Sequence, residues 1–563
     1  MSGLSCPRAE SVVERVTMKM SETSIAKNTG RRELLRAASA LAIAASHPGQ
    51  ALAQASKGGG TLRVSNGGDP PDFDLHQSAT FLALFICAPC YSTLLRVSPK
   101  DYNTLINDLA EKVDVSADGK TVTFELREGV VFHNGMPLTA EDVVYSLERV
   151  RNPPKGIISP RKGLLGNVES IEARGARTVV VRLAQPQADF LFLVSNPFNI
   201  IYPKKVVEPL DAQGAGMKRQ IVGTGPFRLI RAVDGQIYEL ARFEKFFGPP
   251  APLERIQFFP IRGEIERSAA LQGKRIDACF HFNSASAITT LRKVPGVVVQ
   301  HRPMPTFVNI IPNVQRKPFD DVRVREALSL AIDRDAFLKT VGPLSGASFH
   351  GMGLMPPGSP FGLSQSELRQ FGGYDSLPGL GGNAVANRQR AMALLEEAGV
   401  PKGFKVVLPT RGDSAAFRDA AINIASQLKA IGLDATVDIR DTGAFYAIEA
   451  KGDFQIVVHS VAVGGSTPDQ ILGEGYTSFG GRNYGQWKDE GLDRLYRQQS
   501  AERNPKKRAE LIRQFQLAFL KTHYQIQVAW GSIAAAHSST VRGWNGLPDL
   551  YSNMQLEQVT MEA

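Results

Sequence analysis

The chain has 563 residues, too many for one compact core, so two or three packed units are expected. Hydrophobic residues make up 43% and charged residues 21%, which excludes a largely disordered chain. The formal charge is +10, but the sequence has no run of five like charges and no basic cluster interleaved with aromatics. Nucleic acid is therefore not an expected partner.

Residues 29–36 read Thr-Gly-Arg-Arg-Glu-Leu-Leu-Arg, an Ala-rich apolar stretch covers 37–45, and Ala51-Leu52-Ala53 follows. A charged region, a short apolar region and a small-residue site in that order predict a signal peptide over residues 1–53. Arg31-Arg32 ahead of Leu34-Leu35 gives it the twin-arginine type. The apolar stretch is far shorter than the roughly 20 residues that span a bilayer. A soluble, exported, periplasmic product cut after Ala53 or Ala55 is expected. Residues 1–53 hold seven basic and four acidic side chains, so the remainder carries +7.

Cys6 lies ahead of the cleavage site, leaving Cys87, Cys90 and Cys279, which make no disulfide framework. Cys87-Ala-Pro-Cys90 has redox-motif spacing, and the apolar run 81–86 before it allows a strand. A thiol-disulfide oxidoreductase is therefore kept as an alternative reading.

After Gly58-Gly59-Gly60, residues 61–64 read as the first strand and 66–74 as a Gly/Pro/Asp loop. Residues 121–126 alternate as a strand, preceded by a turn at Asp118-Gly119. Thr139 with Asp142 approximates a capping box for a helix whose stripe is Val143, Leu147 and Val150. Residues 178–183 and 276–280 read as further strands. Residues 320–337 read as one helix, capped by Asp320 or Asp321, with Val324, Ala327, Leu328 and Ala331 facing inward.

Residues 404–460 are the most informative stretch. A strand at 405–408 leads to a helix capped by Asp413 or Ser414, with Ala421, Ala425 and Leu428 aligned. Gly432 stops that helix as a left-handed cap would. A second strand at 434–439, a short helix at 442–450 and a strand at 454–458 complete a β-α-β-α-β run. Such a run implies parallel strands with right-handed crossovers, and ligands bind beyond the carboxyl ends of such strands. Those ends are Thr410-Arg411, Asp441-Thr442 and residues 459–466, which include His459, Gly464, Gly465 and Ser466. The Arg411 guanidinium fork suits a carboxylate.

Several segments together resemble one family. Leu109-Ala110-Glu111 leads through Asp118-Gly119-Lys120 to residues 124–135, which end in Phe132-His133-Asn134-Gly135. Pro137-Leu138-Thr139-Ala140-Glu141-Asp142-Val143, Gly223-Thr224-Gly225-Pro226-Phe227 and Pro318-Phe319-Asp320-Asp321 follow, the last running on to Ala331-Ile332-Asp333-Arg334. In order and spacing these resemble the family 5 extracellular solute-binding proteins of ABC importers, whose best-known members bind dipeptides and oligopeptides.

The resemblance implies an α/β fold of the periplasmic binding protein type (type II, cluster C), with two mixed α/β lobes, a hinge and an extra subdomain on lobe one at about 95–165. By similarity, lobe one holds 56–307 and the return segment 526–563, and lobe two holds 308–525. It further implies capture of a peptide-like or other small polar solute by lobe closure, and delivery to an inner-membrane permease with its ATPase. A monomer is expected. Phe132-His133-Asn134-Gly135 reads as a packing motif rather than a site.

One departure bears on the ligand. Family members that bind free peptides place an aspartate, after a tryptophan, beyond the third strand. Here that position falls on Gly464 or Ser466, and Val461 replaces the tryptophan. A buried ammonium without a partner costs several kcal/mol, so a blocked peptide, an opine, a sugar or another polar solute fits better.

Signatures of serine hydrolases, zinc proteases and phosphate loops are missing, and the nine histidines are scattered. No catalytic group, metal or cofactor is expected. Phe282, flanked by His281 and Asn283, and Tyr476, Tyr484 and Trp487 are candidates for cleft walls. Residues 473–485, with five glycines, read as a mobile loop at the mouth. A binding lobe used for signalling or as a chaperone is the other alternative.

Overall fold

The computed structural model describes residues 59–562 except 79, 99–103, 283, 346, 350–352, 357–358, 376–382, 413–414, 463–466 and 545–554. The expected signal peptide lies outside the described residues. Among those described, no helix is long and apolar enough to cross a membrane.

The largest sheet is mixed. Its order runs Ile456–Ala462, Val297–Pro312, Ile526–Ser538, Ala278–Phe282, Thr61–Ser65, Arg255–Phe259, Ile237–Arg242 and Phe227–Val233, with Ala347–Phe349 added beside Ile526–Ser538. Thr61–Ser65 lies parallel to both of its neighbours, and the other pairings are antiparallel. A separate antiparallel sheet holds Ala110–Val115, Thr121–Leu126, Thr178–Leu183 and Val168–Arg174. Against it packs the helix Ala140–Arg151. Thr139 and Asp142 close the expected capping box there, with Asp142 Oδ2 accepting from the Thr139 N–H at 2.8 Å. Such a cap is worth about 1 kcal/mol.

The buried apolar residues fall into five clusters that divide cleanly. Three are built from residues up to 299 and from 533 onward. Two are built from residues between 308 and 530. Only the two long strands Val297–Pro312 and Ile526–Ser538 supply residues to both sets, and they pair with each other antiparallel. The molecule thus has two halves joined by a two-stranded ribbon. The ribbon's register shifts between Pro303 and Phe307 and again between Val308 and Asn309.

Three expectations change. Residues 81–86 form a helix, Phe81–Cys87, because Thr80 caps it by accepting from the Leu82 N–H at 3.3 Å and its apolar side chains are packed nearly all round. After Cys87 the chain makes one 3₁₀ turn, Ala88–Cys90, and then extends.

The single helix at 320–337 is two helices, Val322–Ala331 and Arg334–Ser345. Asp321 caps the first. Ile332 is extended at ψ 107, and the Asp333 carboxylate accepts from the Ala336 N–H at 3.0 Å, restarting the helix. The wholly buried Arg334 locks the break by donating to the carbonyls of Ser329 and Gln527. This is the role of the Ala331-Ile332-Asp333-Arg334 motif.

The β-α-β-α-β run is present, but its third strand belongs to another ladder. Lys405–Arg411 and Asp434–Arg440 pair in parallel. Ile456–Ala462 is hydrogen-bonded antiparallel to Val297–Pro312. It still runs beside and parallel to Lys405–Arg411. The Val407 N–H donates to Gln455 Oε1 at 3.4 Å, and the Thr410 hydroxyl donates to the Val458 carbonyl at 3.2 Å, the same offset three residues on. Side chains thus take the place of a backbone ladder between these strands. Gly432 has φ +90, as its stop position requires.

Candidate functional site

Thr410 and Arg411 are the last two residues of their strand, which runs three residues past its expected end. His459 lies inside Ile456–Ala462, on the strand alongside. The connecting helix Thr442–Lys451 starts where the Asp441 carboxylate accepts from the Ala444 N–H at 2.9 Å, and ends at left-handed Gly452. Tyr446 and Glu449 are three residues apart on it, so they share one face. That face meets the strand tips.

Arg411 is 7% exposed. Its Nη1 donates to the Tyr446 hydroxyl at 2.9 Å, and its guanidinium carbon lies 4.7 Å from the Phe417 ring centre and 5.5 Å from that of Tyr446. Two aromatic faces therefore hold the fork, each desolvated contact worth about 1–2 kcal/mol. His459 sits in the same aromatic group, 4.9 Å from Phe445, 5.7 Å from Tyr446 and Tyr484, and 6.4 Å from Phe417.

Behind His459 lies Glu449, whose Oε1 is 2.8 Å from Nδ1. The contact is at ion-pair distance but lacks hydrogen-bond alignment, and neither side chain has another hydrogen-bond partner among the described residues. Burial pushes the Tyr484 hydroxyl far up, against the pull of Arg482, so it stays neutral. The cluster is thus a permanently charged fork on aromatic walls, with a buried His–Glu pair beneath. Such a fork can receive a carboxylate or another planar anion.

Of the sequence-selected residues, Thr410, Arg411, His459 and Tyr484 come together here. Thr410 is a fully buried structural tie. Gly464, Gly465, Ser466 and Asn283 lie outside the described residues. Phe282 and Trp487 do not join the cluster. Phe282 packs wholly buried with Leu271, Cys279 and Leu291 in the other half. Trp487 stacks on Tyr524 at 5.4 Å within a core.

Residues 473–485 are not a loose mouth loop. They begin in the helix Pro468–Gly475, and the Arg482 N–H returns to the Glu474 carbonyl at 3.1 Å. At Gly481 a Cβ would stand 1.7 Å from the Pro160 carbonyl oxygen, so glycine is needed for this close approach. Sequence reading missed Phe417, Phe445, Tyr446 and Glu449. The available signal was an acid one turn beyond two aromatics, opening a helix that follows a strand tip.

Residues 104–483 match the profile of the bacterial extracellular solute-binding proteins, family 5 (middle). The chain belongs to that family. It is 26% identical over 482 residues to the dipeptide-binding protein of Escherichia coli K12, a match covering 81% of this chain and 86% of that protein. It is 29% identical over 350 residues to the glutathione-binding protein GsiB of the same organism, covering 62% of this chain and 64% of GsiB.

Among solved structures, the periplasmic binding protein DppA of Helicobacter pylori with peptide STSA superposes with a TM-score of 0.80 at 23% identity, covering 90% of this chain and 99% of DppA. AgaA of A. tumefaciens R10 with agropinic acid gives a TM-score of 0.80 at 23% identity with the same coverage. The fold is that of the type II periplasmic binding proteins, mixed α/β in two lobes. As a family 5 member, the protein is the solute-binding kind of component that serves ABC importers.

The oxidoreductase alternative fails on geometry. Cys87 and Cys90 are free thiols with no exposed surface, and burial pushes both well above the ordinary thiol range. A redox dithiol needs an accessible thiol with a lowered pKa.

Proposed function

We propose that this protein is a periplasmic, monomeric, non-enzymatic component of an ABC importer, exported by a twin-arginine-type signal in residues 1–53. Lobe one (56–307 and 526–563) closes on lobe two (308–525) around a small polar solute. The division of the buried core within the two long strands, between 299 and 308 and between 530 and 533, supports a two-lobe arrangement of this kind.

The observation that carries the ligand reading is Arg411, held by Phe417 and Tyr446 at a strand tip. We assign it to an anionic group of the solute, a carboxylate by preference. The sequence supplies no aspartate for an α-ammonium at the matching position, where Gly464 or Ser466 stands. A solute gripped by its acid rather than its amine therefore fits: an N-blocked peptide with a free carboxylate, or an opine-like amino-acid conjugate. The range of occupants in relatives agrees, since one structural neighbour holds a peptide and another agropinic acid.

Mass spectrometry of small molecules released from protein purified out of its native periplasm tests this reading. The expected result is a stoichiometric polar compound bearing a carboxylate. Empty protein that neither compacts nor stabilises with a broad set of peptides, opines and sugars would overturn it.

A further inference from the structure

Away from the strand tips, the two halves touch through a buried charge cluster. Asp189 sits at the start of the helix Phe190–Val194, whose Phe190 and Val194 belong to a core of the first half. Asp469, in Pro468–Gly475, and Arg508, in Pro505–Thr522, sit on helices whose Ile471, Leu472, Ile512 and Phe515 belong to a core of the second.

Arg508 grips Asp189 with both ends of its fork, Nη1 to Oδ1 at 3.0 Å and Nη2 to Oδ2 at 2.5 Å. The same Nη2 reaches Asp469 Oδ1 at 3.2 Å. The Asp469 N–H donates to Asp189 Oδ2 at 3.2 Å, so the two acids are adjacent. Gln470 Nε2 donating to the Phe192 carbonyl at 3.0 Å, and the Ala188 N–H donating to the Ser500 carbonyl at 2.8 Å, complete the seam.

The seam is largely buried. The side chains of Asp469, Asp189 and Arg508 are 0%, 9% and 13% exposed. Facing Asp469 are Asp189, Arg508, the Gln499 amide and the Ser500 hydroxyl, the last two donating at 2.7 Å each, and the Tyr496 hydroxyl, which donates to the Asp469 carbonyl at 3.3 Å. One cation thus serves two carboxylates, which leaves a net negative charge largely shielded from solvent. Two like charges brought together in such a place favour taking up a proton.

We propose that Asp189, Arg508 and Asp469 form a proton-taking latch: closing the halves brings the second carboxylate in, and the closed form holds a proton on Asp469. This rests on the two-lobe closure proposed above. Once Asp469 is protonated, the Arg508 fork serves Asp189 alone and the repulsion between the acids is gone. Burial first, and then the Asp189 charge, push the Asp469 carboxyl up to about 6, against the pull of Arg508, Ser500 and Gln499. Separating the halves removes the Asp189 contribution, so the open form binds that proton less well. The closed fraction therefore grows as pH falls through about 6.

The test places spin labels at Val115→Cys and Val385→Cys, one in each half and 51% and 60% exposed, in protein lacking residues 1–53. The native thiols Cys87, Cys90 and Cys279 are buried. Distance distributions are read by double electron–electron resonance at pH 7.5 and 5.5, without added ligand and with 1 mM mixed dipeptides. The ratio of short-distance to long-distance populations is expected to rise about fourfold on acidification in at least one of the two conditions. Asp469→Asn is expected to show the raised ratio already at pH 7.5 and no response to pH.

Distributions that do not move with pH in wild-type protein, a pH response that persists in Asp469→Asn, or no short-distance population in either condition would each overturn the latch. The wild-type series stands even if the variant does not fold. The labels read closure without a ligand, so the two proposals can fail separately. A protein that responds to pH but captures no solute keeps the latch and loses the transport reading. One that binds solute with pH-independent distances does the reverse.

Discussion

His459 Nδ1 lies 2.8 Å from Glu449 Oε1, with both side chains 1% exposed, and the His459 ring meets edge-on, at 5.7 Å, the ring of Tyr446 that braces Arg411. The pair is enclosed by Phe417, Phe445, Tyr446 and Tyr484. Removing one partner of such a pair leaves the other's buried polar atoms without a neighbour of complementary polarity, a loss of about 1–3 kcal/mol. Replacing both by apolar groups of similar size is close to neutral. His459→Leu is therefore expected to lower the denaturant midpoint sharply, and His459→Leu with Glu449→Leu to recover most of the loss. A double variant no better than the single one would show that the two side chains act independently.

Arg411 gives the prediction closest to function. With the solute released from native protein as titrant, Arg411→Ala is expected to weaken binding by about 1.5–3 kcal/mol, the range for a hydrogen bond to a charged group. Arg411→Lys should be nearly as weak, because an ammonium offers neither the fork nor the flat face that rests on Phe417. Calorimetry that finds wild-type affinity in both variants would remove Arg411 from the contact set.

His133 predicts an acid weakness. Its Nε2 lies 3.1 Å from the Gly225 carbonyl and its Nδ1 accepts from the Gly223 N–H at 3.3 Å. Burial pushes the ring down to about 4 from 6.5. Between those values the unfolded chain takes up the proton and the folded one does not. Stability is thus fully present above pH 6.5 and falls as pH drops toward 4, by about 3 kcal/mol in total. His133→Gln should flatten that part of the stability–pH curve measured by urea unfolding. An unchanged slope would assign the acid weakness to other groups, such as His76 and His523, which burial also lowers.

Cys87, Cys90 and Cys279 should behave as inert core residues. All three are fully buried, and burial raises each thiol. In protein lacking residues 1–53, an aromatic disulfide reagent at pH 8 is expected to modify none of them in the native state and all three in guanidinium. Rapid labelling of Cys87 or Cys90 in folded protein would contradict the burial.

Local chemistry made much of this fold legible. The Thr139–Asp142 box, the Asp321 cap and the left-handed Gly432 each depend on neighbours within a few positions, and each stands where its residue types place it. The Gly223 and Gly225 motif was visible as a string, but its reason was not. A Cβ at Gly223 would lie 2.0 Å from the Cys90 carbonyl oxygen, and one at Gly225 2.5 Å from the Tyr91 nitrogen.

Pairing across long separations was hidden. The strand after Thr442–Lys451 has the composition of a parallel-sheet strand, yet its ladder partner is some 150 residues earlier in sequence. The helix Phe81–Cys87 misled for a related reason: an apolar run packed nearly all round has no periodicity to read. In the site, Arg411 and His459 followed from strand tips. Glu449 did not, because an acid on a helix normally faces water, and only the approach of His459 from another strand makes this one a buried partner.

The ribbon Val297–Pro312 with Ile526–Ser538 has a mechanical meaning. A pair of hydrogen-bonded strands bends readily across its thin dimension but resists sliding and in-plane shear, because each bond along it fixes the offset of the next. Its two register shifts, at 303–307 and 308–309, are the weak points of that band. In the closure proposed above, such a band would confine travel of the halves to a swing about one line, so that the same faces would meet each time.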